Sequence, residues 1–357
     1  MTNKIISTAP GRVCLFGDHQ DYLGLPIIAT TIDKEIKIEA VKNDLNQFNI
    51  YKKDLNENQI IELNKEINET DFLSLSLNVL KKYNCIPDQG FDIEITSTIP
   101  INSGLSSSSA LIVAWINFLL NAFTDIEITA ELLAKISYQI EVIETGGSGG
   151  KMDQYTISYG ETIYLDTITD KIKIFDGDLC DMIIAVSNQE KDTQGLLKKL
   201  KEGALKSIQI IKNHIPEFNI QNSYDINLKN YLSYLDDQYK PFFNAAVENY
   251  RITLEARKEL EKSKINIDKV GLLMNLHHSF LKNELNITTT EIDEMINVAE
   301  FNGSIGSKIV GSGGGGSIVC LSKDENSSYD IINELKKISV KDAFIAKKGR
   351  GPIISYE

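Results

Sequence analysis

Residues 26–41 read PIIATTIDKEIKIEAV, and the end of that run alternates apolar with charged side chains. A period of two places every other residue on one face, so the pattern predicts a half-buried strand. FDIEITSTI repeats it and predicts a strand over 90–99, which Pro100 ends because it lacks an N–H for the ladder. Apolar runs at 4–8 and 12–17 predict two earlier strands. Residues 45–63, with charged, Asn-rich turns, read as a hairpin. Helical spacing takes over at 71–84, where Asp71 is placed to cap the start, and again at 109–123 and 129–145. A Gly-rich loop at 146–150 leads to strands predicted at 155–166, 171–175 and 181–186. Beyond residue 190 the character changes to long amphipathic helices, at 193–214, 226–236, 241–262, 268–283 and 289–301. A strand at 317–322, a helix at 327–337 and a strand at 342–346 follow. The pattern is that of a mixed α+β chain with a boundary near 175–190, dividing it into domains 1–180 and 181–357.

The chain has 357 residues, of which 42% are hydrophobic and 24% charged, which is globular and long enough for two cores. A net charge of −13 leaves no basic face, so no nucleic-acid partner is expected, and any phosphate must be held locally. The longest apolar run, Ala110–Phe123, is interrupted by Asn117 and Asn121 and is too short to span a bilayer. The N-terminal MTNKIISTAPGRV lacks the apolar core of a signal peptide, so no membrane and a cytoplasmic address are expected. Cys14, Cys85, Cys180 and Cys320 are widely spread beside apolar stretches, which predicts reduced thiols rather than a zinc site or disulfides.

Three stretches carry candidate chemistry. PGRVCLFGDHQDYLG at 10–24 sets Arg12, Asp18, His19 and Asp21 beside a run apolar enough to be buried. Buried charge is costly unless it is paired or meets a polar ligand, and short carboxylates with an imidazole bind adjacent hydroxyls directionally. A polar turn would use the same residues. PINSGLSSSSA at 100–110 leads from a strand into an apolar helix, where free backbone N–H groups and the helix dipole favour an anion. The serine hydroxyls can also reach phosphate oxygens or Mg²⁺. One serine would suffice as a helix cap, and four exceed that need. GSGGGG at 311–316 is either a tight turn between strands or a backbone that something approaches closely.

In their order and spacing, GRVCLFGDHQDY, GLSSSSA and KMDQY resemble the GHMP small-molecule kinases. Within that family they look most like the galactokinase branch, whose pattern reads GRVNLIGEHTDY, GLSSSAS and MDQ. AAVENYRITLEA, LMNLHHSFLKNELNITTTEIDEM and GSIGSKIVGSGGGGSIV extend the resemblance through most of the chain. It implies a two-domain GHMP kinase fold, with an N-terminal domain like the second domain of ribosomal protein S5 and a ferredoxin-like α/β C-terminal domain. It implies an ATP- and Mg²⁺-dependent monosaccharide kinase acting on a sugar hydroxyl, the anomeric one in this branch. Carried over position by position, Asp153 lies against the attacking hydroxyl with Arg12 beside it, and Asp18, His19 and Asp21 contact the sugar. Asn102, Ser103, Gly104, Leu105, Ser106, Ser107, Ser108 and Ser109, with Gly313 and Gly314, surround the ATP phosphates. The family's magnesium-binding acid stands twelve positions before the catalytic Asp, which here is Glu141, with Glu144 as reserve; Ser108, or Ser107 if the register slips by one, is the second metal ligand.

Two departures bear on the substrate. Asp18 stands where galactokinases usually carry Glu, one methylene longer. The RHxLxxSxYxxRR-like stretch, whose Tyr meets the sugar, is replaced by SNQEKDTQGLLKKLKEG. A heptose, a uronic acid, an N-acetylhexosamine or another aldose stays open beside galactose. So do a kinase of a non-sugar alcohol such as mevalonate and a catalytically silent sugar and nucleotide sensor. His214, His277 and His278 fall on helices, where a packed or capping role is expected; monomer and dimer are both open.

Overall fold

A computed structural model describes residues 4–65, 71–177, 179–189 and 193–357. β1 (Lys4–Phe16), β2 (Ile27–Lys42), β3 (Gln47–Lys52), β4 (Glu57–Glu62) and β5 (Phe91–Ser97) form one sheet in the order β1-β2-β5-β3-β4. β6 (Thr162–Asp166) pairs with the far end of β2, and β7 (Lys171–Phe175) pairs with β6. The two predicted strands at 4–8 and 12–17 are one strand. Its register against β2 shifts between Pro10 and Arg12, a bulge that accommodates the proline and re-aims the residues after it.

The face of this sheet is covered by α1 (Phe72–Leu80) and α2 (Ser107–Phe123). Asp71 caps α1 through the Ser74 N–H at 3.0 Å, and Trp115 donates its indole N–H to Ser76 Oγ at 2.8 Å. Around Trp115 the rings of Phe48, Phe91 and Phe118 meet edge to face, with Phe91 and Phe118 centroids 5.3 Å apart. These contacts fix where the N-terminus of α2 lies. α3 (Ala130–Tyr138) runs on into a π-helical turn, Gln139–Ile143, and α4 (Met152–Tyr159) follows.

α4 occupies the start of the segment predicted as a strand over 155–166, and only Thr162–Asp166 is extended. Tyr, Thr and Ile gave the stretch its strand-like composition. Here residues 154–158 are all buried, so no alternation of faces is required and packing overrides propensity. The predicted helix at 226–236 is also shorter: a 3₁₀ turn at Ile220–Asp225 precedes α6 (Leu228–Leu232).

The second half opens with α5 (Thr193–His214), which follows β8 (Met182–Ser187), and contains α6, α7 (Lys240–Leu260), α8 (Ile267–Asn283) and α9 (Thr290–Phe301). β9 (Gly306–Val310), β10 (Ser317–Leu321) and β11 (Val340–Ala346) join β8 in an antiparallel sheet ordered β11-β8-β10-β9, and α10 (Glu325–Leu335) lies between β10 and β11 in sequence. The chain then returns to the first half. β12 (Ile353–Tyr356), which the sequence pattern did not announce, pairs antiparallel with β1 from Ile5 to Thr8 and completes an eight-stranded sheet. Among the described residues no helix is long and apolar enough to cross a membrane, and the four cysteines are free thiols.

The aromatic cluster gives a direct test of this packing. Phe118→Ala should cost about 3–5 kcal/mol in urea unfolding. Phe301→Ala, at a side chain 91% exposed, should stay within about 0.5 kcal/mol of the parent.

Candidate active site

The bulge in β1 sends Arg12 out of the strand toward the start of α4. Its guanidinium donates to both carboxylate oxygens of Asp153, Nε to Oδ1 at 2.7 Å and Nη2 to Oδ2 at 2.8 Å. Nη1 donates to the Gly104 carbonyl at 2.7 Å, and the Arg12 N–H donates to the Leu105 carbonyl at 3.1 Å. Ser106 adds its hydroxyl to Asp153 Oδ2 at 2.5 Å. Arg12 is only 4% exposed. Burial works against its charge, but the facing carboxylate more than offsets this and its pKa is raised. Three stretches remote in sequence therefore converge on one carboxylate.

The serine loop is shaped by left-handed residues at Asn102, φ 58°, and Ser106, φ 61°, on either side of Gly104. Ser106 stands at the N-cap of α2, with Ser107, Ser108 and Ser109 in its first turn, so the free N–H groups of the helix open beside Asp153. Ser103 is buried and braced, its hydroxyl donating to the Pro100 carbonyl at 2.6 Å. Its own carbonyl accepts from Ser317 Oγ at 2.6 Å. That bond ties the serine loop to the end of the GSGGGG turn. Gly313 and Gly314 themselves turn toward the α8–α9 connection. Gly314 N–H donates to the Ile287 carbonyl at 2.8 Å, and a Cβ on Gly313 would stand 2.6 Å from the Ile287 Cβ. Close packing on Ile287 thus accounts for Gly313, and a φ of 72° for Gly314.

Glu141 sits on the π-helical turn, a local widening that is common at functional sites because it turns a side chain out of the regular helical register. Its Oε1 accepts from Ser108 Oγ at 3.0 Å and its Oε2 from Gln154 Nε2 at 2.6 Å. Burial raises its pKa, and neither of these hydrogen-bond partners carries a charge. A hard dication would relieve that. Ser108 and Glu141 together supply the hydroxyl and single carboxylate with which Mg²⁺ is commonly held beside nucleotide phosphates. Glu144 points elsewhere, to Gln139 at 2.8 Å and Lys82 at 3.9 Å.

The turn after β1 supplies the opposite wall. Asp21 accepts from the Tyr22 N–H at 2.9 Å and from the Met152 N–H at 3.1 Å, so it sits on the N-terminus of α4 next to Asp153. Gly150 makes room for it: a Cβ there would lie 2.1 Å from the Asp21 carboxyl. Burial, and the neighbouring Asp153 charge, push the Asp21 pKa up to about 6 against the N–H bonds that lower it. His19 is buried in the left-handed region, φ 61°, with its ring edge-on to Tyr22. Asp18 lies in the same turn and lines a small cavity with His19, Asn249, Leu200 and Ala204, but its carboxylate is engaged by Lys308 at 2.7 Å. Leu200 and Ala204 belong to α5, so this helix supplies an apolar part of the cavity wall. Residues 190–192, just before it, lie outside the described residues.

Lys308 and Gln154 were not among the residues singled out from sequence. Lys308 had left a signal, since a lysine inside the apolar run SKIVG of a buried strand requires a partner. His277, expected in a packed or capping role, is fully buried: its Nε2 accepts from the Gly17 N–H at 3.0 Å, and burial lowers its pKa to about 3.

Comparison with known proteins matches residues 71–161 to the GHMP kinases N terminal domain, 256–341 to the GHMP kinases C terminal domain, and 2–41 to the galactokinase galactose-binding signature. The chain is 31% identical over 338 residues to a galactokinase of Streptococcus thermophilus, covering 90% of this chain and 86% of that one. Its fold is similar to that of Lactococcus lactis galactokinase solved in complex with galactose, with a TM-score of 0.85 at 21% identity over 98% and 95% of the two chains. It is also similar to Methanococcus jannaschii mevalonate kinase, with a TM-score of 0.74 at 24% identity over 97% and 98%.

The Asp21 environment has a measurable sign. A folded pKa near 6 against an ordinary value of 3.8 means the native state binds this proton more tightly. Asp21 therefore makes stability fall as pH rises from about 4 to 6, and adds no slope above that. The midpoint of urea unfolding for Asp21→Asn should gain on the parent across this interval and then run parallel to it. A difference that is flat from pH 4 to 7 would refute the assignment.

Proposed function

The chain belongs to the GHMP kinases, in their galactokinase-like branch, and is a sugar kinase; on that premise we propose that it transfers the γ-phosphoryl group of ATP to the anomeric hydroxyl of galactose or a closely related aldose. The observation that carries this reading is the meeting of Arg12, Asp153 and Ser106 at the N-terminus of α2.

Asp153 receives the attacking hydroxyl. The two-pronged contact with Arg12 fixes the direction of its free lone pairs, so the hydroxyl is oriented before it attacks. The same guanidinium lies close enough to the serine loop to offset charge that develops on the transferring phosphoryl group. The backbone N–H groups of Ser107–Ser109 receive the phosphates. Ser108 and Glu141 would hold Mg²⁺, which when bound neutralises phosphate charge. With no Walker lysine in the chain, positioning by amides, hydroxyls and one guanidinium carries most of the work.

His19 and Asp21 are the sugar-contacting groups. An imidazole and a carboxylate suit vicinal hydroxyls, whereas the carboxylate of mevalonate calls for a cation, and the nearby Lys308 is already neutralised by Asp18.

A coupled ADP-release assay should show turnover with galactose or a related aldose and none with mevalonate. Asp153→Asn should keep the fold, judged by circular dichroism, and lose at least about a hundredfold in kcat. Near-parental kcat in that variant would overturn the assignment, and no turnover with any sugar would favour a silent sensor. Glu141→Gln should raise the Mg²⁺ concentration for half-maximal rate by about tenfold, with the sugar KM little changed.

A further inference from the structure

Lys308 lies in the middle of β9 and is 0% exposed. Its ammonium reaches three oxygens: Asp18 Oδ2 at 2.7 Å, the Cys14 carbonyl at 3.0 Å and the Ile309 carbonyl at 2.8 Å. Asp18 is 2% exposed. A fully buried ion pair is seldom the most stable way to fill such a space, since desolvation of both charges costs several kcal/mol and apolar residues of similar volume often do as well. Its geometry has a different use. β9 belongs to the second sheet and Asp18 directly follows β1 of the first, so the pair pins the first turn of the sugar site to the other half of the molecule.

Two further contacts from the second half grip the same turn. His277 on α8 accepts the Gly17 N–H, and Gln20 donates its amide to the Ala246 carbonyl on α7 at 3.0 Å. Between these anchors His19 holds a left-handed backbone, a conformation that persists in a non-glycine residue only where its surroundings over-determine it. Burial raises the Asp18 pKa, but Lys308, with a contribution from His277, more than offsets it, so the carboxyl stays ionised below its ordinary value.

We infer that Asp18 is the counter-ion of Lys308 rather than a sugar ligand, and that Lys308 is a positioning residue that holds the Gly17–Asp21 turn, and with it His19 and Asp21, in the geometry that receives the sugar. The inference deepens the sugar-kinase reading and rests on it for its substrate. The shorter Asp in place of the branch's Glu is consistent with it, since the side chain that stands there is engaged by the lysine at 2.7 Å.

Lys308→Met alone strands a buried carboxylate and should lose stability. The informative variant is therefore Asp18→Asn/Lys308→Met, which removes both charges at nearly constant volume. Its melting temperature should return close to the parent's, its KM for ATP should stay within about twofold, and its KM for galactose should remain raised by about tenfold or more. That rise should be uniform across 2-, 3-, 4- and 6-deoxygalactose, because a displaced turn misplaces every contact. Hydrogen exchange in the sugar-free double variant should be faster at residues 17–21 than in the parent. A parental sugar KM with parental exchange would reduce the pair to a structural filler, and a penalty that vanishes for one deoxy sugar alone would make Asp18 a direct ligand. Either result overturns the inference. Should the parent turn over no sugar, the substrate reading fails and hydrogen exchange still decides whether Lys308 holds the turn.

Discussion

The two-pronged contact between Arg12 and Asp153 is the constraint on which the rest of the site depends. An arginine at 4% exposure is tolerable only against an opposite charge, and a carboxylate is fixed in direction only when both its oxygens are held. The pair joins β1, just past its bulge, to α4, which starts at Met152. It also brings the serine loop close enough for Gly104 and Ser106 to join. The free amides of α2, the Ser108 and Glu141 oxygens and the turn that carries His19 and Asp21 are then arranged around that fixed point.

Most of this was legible because the chemistry is local in sequence. Alternation in IKIEAV and FDIEITSTI located β2 and β5, and the serine run before an apolar stretch located the start of α2. What could not be read is set by packing at a distance. MDQYTISY looks extended in composition, yet it is helical because it is enclosed on several sides. IISY carries too short a pattern to announce a strand, and it is one because β1 offers an unpaired edge. Glu141 could be placed by spacing, but not the π-helical turn that aims it at Ser108.

The roles of the two halves divide differently from the two sheets. The first half carries the candidate site residues apart from Gly313 and Gly314, while the second contributes grip: Lys308 on β9, His277 on α8 and the α7 backbone all hold the turn that carries His19 and Asp21. Ser317 does the same for the serine loop. Shape in the sugar pocket is thus set partly by residues that touch no ligand. The glycine-rich segment, read from sequence as either a tight turn or a backbone that something approaches closely, packs on Ile287 at Gly313.

β12 closes on β1, so Ile5 faces Tyr356 across the ladder. A cut near residue 180 would therefore not yield two self-sufficient pieces: the leading fragment would lack its border strand, and residues 5–8 would present bare amides and carbonyls to any passing extended peptide. During synthesis the first sheet likewise waits for almost the whole polypeptide before that border is sealed, a long loop closure that slows folding and leaves a sticky rim in the interval.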